Sequence, residues 1–199
     1  MVSLPSLSQS PLVWAYLAMM FLFFFISLLY RGVRRDFRAM KGTRTEFVLF
    51  IVVNIAFIIL PLAYALSPVF GYLDYHLAQP LSAMGLAGLS IALLIRAKAH
   101  LDLGDSFTIS PGTNRKRLLI TTGIYSRIRH PMYLSMVMWG IASPLVLQNY
   151  VIGAMPLVTI AIFLIVRMPL EESILVEEFG DEYRAYMART GALLPRLTE

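Results

Sequence analysis

The chain has 199 residues, of which 58% are hydrophobic and 15% charged, against about 25% charged in an average soluble domain. It carries no cysteine, which excludes disulfides, thiolate catalysis and zinc–sulfur sites, and its three histidines (His76, His100 and His130) are too scattered to build a metal centre. The formal charge of +5 does not point to nucleic acid, because the charges collect between long uncharged runs. That is the pattern of bilayer-spanning helices joined by basic wet loops.

The first apolar run is Leu12 to Tyr30. It reads as a retained helix rather than a cleaved leader: no basic residue precedes it, and Arg31, Arg34 and Arg35 close it. The second is Phe47 to Leu66, with Pro61 near its end, and the third is Leu81 to Ile95. Ala83, Ala87 and Gly88 offer the third run a small-residue face for close helix contact. The fourth is Met132 to Leu147 and the fifth Val151 to Val166, separated by Gln148, Asn149 and Tyr150. So short a linker predicts an antiparallel hairpin, with Pro144 and Pro156 as candidate kinks in its arms. The expected fold is an all-α integral membrane protein of about five transmembrane helices, ending in a cytoplasmic amphipathic helix. Residues 1–66 form a two-helix membrane segment, and residues 67–199 the catalytic region.

All 17 basic residues fall in three places: between runs one and two, between runs three and four, and after run five. The N-terminus and the other two loops have none. Basic loops stay on the cytoplasmic side, so the N-terminus is expected outside, and the C-terminus and active site inside.

Two segments are too polar to span. The first, Arg96 to Arg129, begins as a continuation of the third helix, which Gly104 is expected to cap. Ser110-Pro111-Gly112 and Thr122-Gly123 are turns flanking the apolar patch Leu118-Leu119-Ile120. The second runs from Met168 to Glu199. Pro169 is expected to bend the fifth helix or make it restart. Ile174, Leu175, Phe179, Tyr183 and Tyr186 recur at helical spacing beside an acidic face of Glu171, Glu177, Glu178, Asp181 and Glu182. This acidic helix is expected to pack on the basic segment, with Gly191 and Pro195 marking its end.

Two features could carry chemistry. Gly123-Ile124-Tyr125-Ser126-Arg127-Ile128-Arg129-His130-Pro131-Met132-Tyr133 places a helix N-terminus next to an imidazole and arginines, a setting that favours an anion. Equally, Arg127 and Arg129 could be membrane anchors and Pro131 an ordinary first helical residue. In Arg167-Met168-Pro169-Leu170-Glu171-Glu172, Arg167 and Glu171 are four apart and share a helix face. Arg167 ends an uncharged run, and a charge at that depth usually faces a cavity or a partner.

Together, in this order and with one hairpin between them, these features resemble the isoprenylcysteine carboxyl methyltransferase family, whose wider kin include membrane phospholipid methyltransferases. The matching residues are Leu118 to Tyr125, Arg129-His130-Pro131-Met132-Tyr133, Arg167, Glu171, Glu172, Phe179-Gly180, Glu182-Tyr183, Tyr186 and Pro195. The resemblance implies S-adenosylmethionine as cofactor and S-adenosylhomocysteine as product. It implies that Arg117, Leu118, Leu119, Ile120, Tyr125, His130, Pro131, Met132, Tyr133 and Glu171 bind the cofactor, with Arg117 and Met132 engaged through backbone. It implies that Arg167 and Glu171 are catalytic and that Arg167 meets the reacting group of a lipophilic or lipidated substrate. The implied reaction is O-methylation of an isoprenylcysteine-type carboxylate. The alternatives are N-methylation of a phospholipid amine and a nicotinamide-dependent membrane reductase of the sterol-reductase type. Membrane lipids are expected partners, and nucleic acid and metal are not. No strand–glycine turn–helix unit is present to hold a cofactor, so a cleft at the membrane edge is expected.

Overall fold

The computed structural model describes residues 7–29, 44–104 and 118–196. Within them every regular element is helical, and extended pairing is limited to isolated bridges. Helix α1 is Pro11–Leu29. Helix α2 is built of three consecutive pieces: Arg44–Asn54, a π-helical turn Ile55–Ile59, and Leu60–Leu66. Pro61 stands two residues past the end of the π turn. A proline has no N–H to donate and its ring crowds the preceding turn, so a locally wider turn relieves it. Helix α3 is Gln79–Leu103, α4 is Pro131–Leu147, α5 is Tyr150–Phe179 and α6 is Asp181–Arg189. Helices α1, α2, α3 and α5 are long and apolar enough to cross a bilayer, and α4 is a shorter apolar helix of 17 residues. The chain is a multi-pass integral membrane protein.

Helices α3, α4 and α5 form an antiparallel sheet of rods, and small residues set their spacing. A Cβ on Gly85 would stand 2.7 Å from Leu145 Cβ, and one on Gly88 3.1 Å from Ala142 Cβ. Between α4 and α5, a Cβ on Gly140 would lie 2.8 Å from Leu157 Cα, and one on Gly153 2.8 Å from Pro144 Cα. Without a hydrophobic drive between helices in lipid, such close approach is what holds them together. Gly88 is therefore at the contact as expected, but Ala83 and Ala87 are exposed, and Ser82, Gly85 and Leu89 are the buried positions instead. Spacing by four residues describes more than one face of a helix; α4 decides which one is used.

Helix α1 packs across α3 and α4 around Trp139, whose indole N–H donates to Tyr16 Oη at 2.8 Å. Tyr16 Oη lies 3.2 Å from Ser143 Oγ, and the Phe23 ring stands 4.8 Å from the indole. At the end of the bundle remote from His130, Asp74 accepts from Tyr64 Oη (2.7 Å), Asn149 Nδ2 (2.7 Å) and the N–H of Leu7 (3.3 Å). Asn149 Oδ1 also caps α5 by accepting from the N–H groups of Val151 and Ile152. Gln148, left-handed at φ 49°, turns the chain between α4 and α5, giving the expected hairpin.

Helix α3 runs on to Leu103 and is closed by Gly104 at φ +52°, the continuation expected from the sequence. Two expectations need correction. Helix α5 runs through Pro156 and Pro169 without a restart. A proline forfeits one ladder bond, and the flanking turns of a 30-residue helix hold the rest. The acidic stretch Glu171–Glu178 is accordingly the end of α5. The amphipathic tail helix is the shorter α6, separated from α5 at Gly180, where φ is +59°. The Ser110-Pro111-Gly112 turn lies outside the described residues.

Candidate functional site

The site is assembled where the start of α4, the far half of α5, and α6 with the strand-like segment after it converge. The chain enters it through a 3-10 turn, Gly123–Ser126. Gly123 has φ +61°, and a Cβ there would fall 2.3 Å from Asp102 Oδ2. Glycine is therefore required on two counts. Asp102, at the end of α3, accepts from the N–H of Ile124 at 2.6 Å and from Lys98 Nζ at 2.5 Å. The turn is thus docked on the end of α3.

From there residues 128–130 run beside the segment after α6. The N–H of Arg129 donates to Gly191 O at 2.8 Å and that of His130 to Ala192 O at 2.9 Å. Tyr186 Oη donates to Tyr125 O at 2.5 Å. The tail therefore roofs the His-Pro turn through backbone bonds and buried tyrosines; of the acidic face expected to pack on the basic segment, Glu177, Glu178, Asp181 and Glu182 are exposed. Tyr125, Tyr183 and Tyr186 are buried. Burial, reinforced by Tyr186, Glu171 and Asp102 and opposed by Arg96, pushes the Tyr125 phenol well above its usual range. Burial likewise raises Tyr183, and pushes Tyr186 up to about 12. All three are neutral donors at physiological pH. The hydroxyls of Tyr183 and Thr190 are buried with no hydrogen-bond partner among the described residues.

Pro131 opens α4, and no side chain caps that helix's first turn. Arg129 and His130 beside it are engaged from within the protein. Glu172 Oε1 accepts from Arg129 Nε (3.0 Å) and Nη2 (2.7 Å), and lies 3.1 Å from His130 Nε2. Arg129 Nη1 donates to Met187 O at 3.3 Å and to Thr190 O. Arg129 and Glu172, which are not among the residues expected to bind cofactor or substrate, are therefore the clamp that fixes α5 and α6 around the turn. Arg127 is exposed.

The other predicted residues meet at Tyr133. Its ring stacks on that of His130, with centroids 5.3 Å apart at 18°. Its hydroxyl donates to Glu171 Oε2 and is within hydrogen-bonding reach of Arg167. Tyr125 is in the electrostatic field of Glu171 and of Arg96. The structure thus brings His130, Tyr133, Arg167, Glu171 and Tyr125 into one cluster, at the end of the α4–α5 hairpin away from its connecting turn. Pro131 is buried and Met132 half-buried at the start of α4. Leu118 is exposed and Leu119 and Ile120 half-buried in the irregular approach to Gly123. Arg117 lies outside the described residues.

Arg96, on α3, is a member of this neighbourhood that sequence reasoning placed on the continuation of the third helix but gave no part in the site. Its Nε donates to Ser27 Oγ at 2.7 Å and its Nη1 to Ser135 Oγ at 3.5 Å, and its Cζ sits 4.1 Å from the Phe23 ring centroid. Among the described residues no carboxylate pairs with it. The available signal was its position, one residue beyond the apolar run and inside the same helix.

Residues 84–177 match the sequence profile of the isoprenylcysteine carboxyl methyltransferase family. The protein-S-isoprenylcysteine O-methyltransferase of Schizosaccharomyces pombe is 31% identical over 116 residues, which make up 57% of this chain and 48% of that one. That of Mus musculus is 31% identical over 117 residues, 58% of this chain and 41% of the relative. The chain thus spans about half the length of these curated relatives or less. A solved eukaryotic intramembrane Ras methyltransferase, also an isoprenylcysteine carboxyl methyltransferase, superposes with a TM-score of 0.52 at 25% identity. That match covers 76% of this chain and 50% of the other.

Proposed function

We propose, from the match of residues 84–177 to the isoprenylcysteine carboxyl methyltransferase profile, that this chain is an integral membrane methyltransferase that esterifies the carboxylate of an isoprenylcysteine-type acceptor. The observation that carries this reading is the meeting of Arg167 and Glu171 at the Tyr133 hydroxyl, with the Tyr133 ring stacked on His130 beneath the tail. One cation and one carboxylate side by side suit the two partners of a carboxyl methylation.

The methyl donor is S-adenosylmethionine, which when bound supplies an electrophilic methyl group on a sulfonium. The residues present fit it. The uncapped first turn of α4 favours a carboxylate, Glu171 favours a positive sulfonium, and the orphaned hydroxyls of Tyr183 and Thr190 offer polar contacts. His130, Pro131, Met132 and Tyr133 would form one wall, and Leu118, Leu119, Ile120, Tyr125 and the backbone of Arg117 the approach. Arg167 would hold the acceptor carboxylate in line, and Arg96 would add a second positive charge to that side. A carboxylate nucleophile needs no general base, so alignment and exclusion of water do most of the work. The acceptor's hydrocarbon would stay in the bilayer.

We place this site on the cytoplasmic side and the N-terminus outside, on the distribution of the basic residues. The absence of native cysteine makes that directly testable. A His76→Cys protein should react with an impermeant maleimide from outside, and an Arg196→Cys protein after permeabilisation; the reverse order would invert the topology.

The activity test uses the purified chain in lipid vesicles with methyl-labelled S-adenosylmethionine. N-acetyl-S-farnesyl-L-cysteine should gain a base-labile methyl ester. Label in phosphatidylethanolamine instead would transfer the reading to amine methylation. Thermal stabilisation by NADPH but not by S-adenosylhomocysteine would overturn it in favour of a reductase.

A further inference from the structure

Helix α1 lies outside the stretch that matches the family, yet it supplies two of the three contacts that orient Arg96. Ser27 Oγ accepts from Arg96 Nε at 2.7 Å while donating its own proton to Phe23 O at 3.3 Å. The hydroxyl is therefore locked with a lone pair toward the guanidinium. The Phe23 ring covers one face of that guanidinium and is held from behind by Trp139. On α4, Ser135 accepts from Nη1 at 3.5 Å and is itself fixed by donating to Met132 O at 2.6 Å. Every one of these partners is neutral. A carboxylate in any of their places would have cancelled the arginine's charge; hydroxyls and a ring aim it and leave the charge intact. Phe23 covers one face of the guanidinium, and the N–H fork in the guanidinium plane has the geometry that suits a carboxylate.

We infer that the first membrane helix is a working part of the methyl-transfer site. Ser27 and Phe23 are positioning residues that aim Arg96 at the acceptor's carboxylate and so give the site its preference for an ionised acceptor over a neutral one. This rests on the carboxyl-methyltransferase reading above, and it assigns α1 a role beyond anchoring.

The test is equilibrium binding to the full chain in nanodiscs, with S-adenosylhomocysteine present. The two probes are N-acetyl-S-farnesyl-L-cysteine and its methyl ester, which differ by one charge. The unmodified protein should bind the acid more tightly. Ser27→Ala should lower acid affinity by on the order of 10-fold, the scale of one hydrogen bond to a charged group, and leave the ester unchanged. Phe23→Leu should shift the same ratio, and Ser27→Thr, which keeps the hydroxyl, should restore it. The acid-to-ester ratio is independent of the fraction of protein folded. A Ser27→Ala protein with the unmodified ratio, or one that loses both probes equally, overturns the inference while the activity reading stands. An unmodified protein that does not distinguish the probes, or does not methylate the acid, overturns the reading and this inference with it.

Discussion

Arg129 and Glu172, 43 residues apart in the chain, meet through two nitrogens on one carboxylate oxygen, at 3.0 and 2.7 Å. The same oxygen lies 3.1 Å from His130 Nε2. With 10% and 18% of their side-chain surfaces exposed, the pair is sheltered enough for the loss of one charge to leave the other uncompensated. Glu172→Gln should therefore lower the unfolding free energy by about 3 kcal/mol. Denaturant titration in detergent, followed by Trp139 fluorescence with Trp14 replaced, checks this. A stability equal to the parent would show that the contact is solvated and dispensable.

Glu172 is a structural clamp, whereas its neighbour Glu171 faces Tyr133 and Arg167. Arg167→Ala and Glu171→Ala should each reduce methyl transfer on the order of 1000-fold while the protein still inserts and melts cooperatively. Tyr133→Phe, which keeps the ring and removes one hydrogen bond, should retain more activity than either. Full turnover in either charge variant would reject the site.

His130 stacks on Tyr133 and adjoins the first turn of α4. His130→Ala should weaken S-adenosylhomocysteine binding on the order of 10-fold. Isothermal titration reads this directly, and unchanged affinity would remove His130 from the cofactor's wall.

The tight face of α3 can be tested by contrast. Gly85→Ala puts a methyl group 2.7 Å from Leu145 Cβ and should cost about 1–3 kcal/mol. Ala83→Val, on an exposed surface of the same helix, should be neutral. Reversed ranking would mean that α3 presents a different face to α4.

Tyr186 gives a pH prediction. Its phenol is pushed from 10.0 up to about 12, first by burial, with Arg129 and Arg189 opposing. The folded state therefore holds this proton more tightly than the unfolded state. Its contribution is fully present below pH 10 and is lost as the pH rises through about 12. Tyr186→Phe should flatten that part of the alkaline melting profile; an unchanged slope would assign the loss to other groups.

The sequence alone determined that this is a helical membrane protein and roughly where its apolar runs lie, and it singled out Arg167, Glu171 and the His-Pro turn as candidates. Hydrophobicity and charge are written residue by residue, and a bilayer reads them the same way in any fold. It also anticipated the α4–α5 hairpin, because a three-residue linker leaves no other geometry. What it could not decide was partnership. Glu171 and Glu172 are adjacent and chemically identical, yet a step of one residue turns them to different faces of α5, one toward Tyr133 and the other toward Arg129 and His130. Arg96 read as one helix-end cation among many basic residues until α1 and α4 surrounded it with two serines and a phenylalanine. Such assignments depend on which helices pack and at what rotation. That is fixed by the close contacts of Gly85, Gly140 and Gly153 across the bundle, not by any local run of sequence.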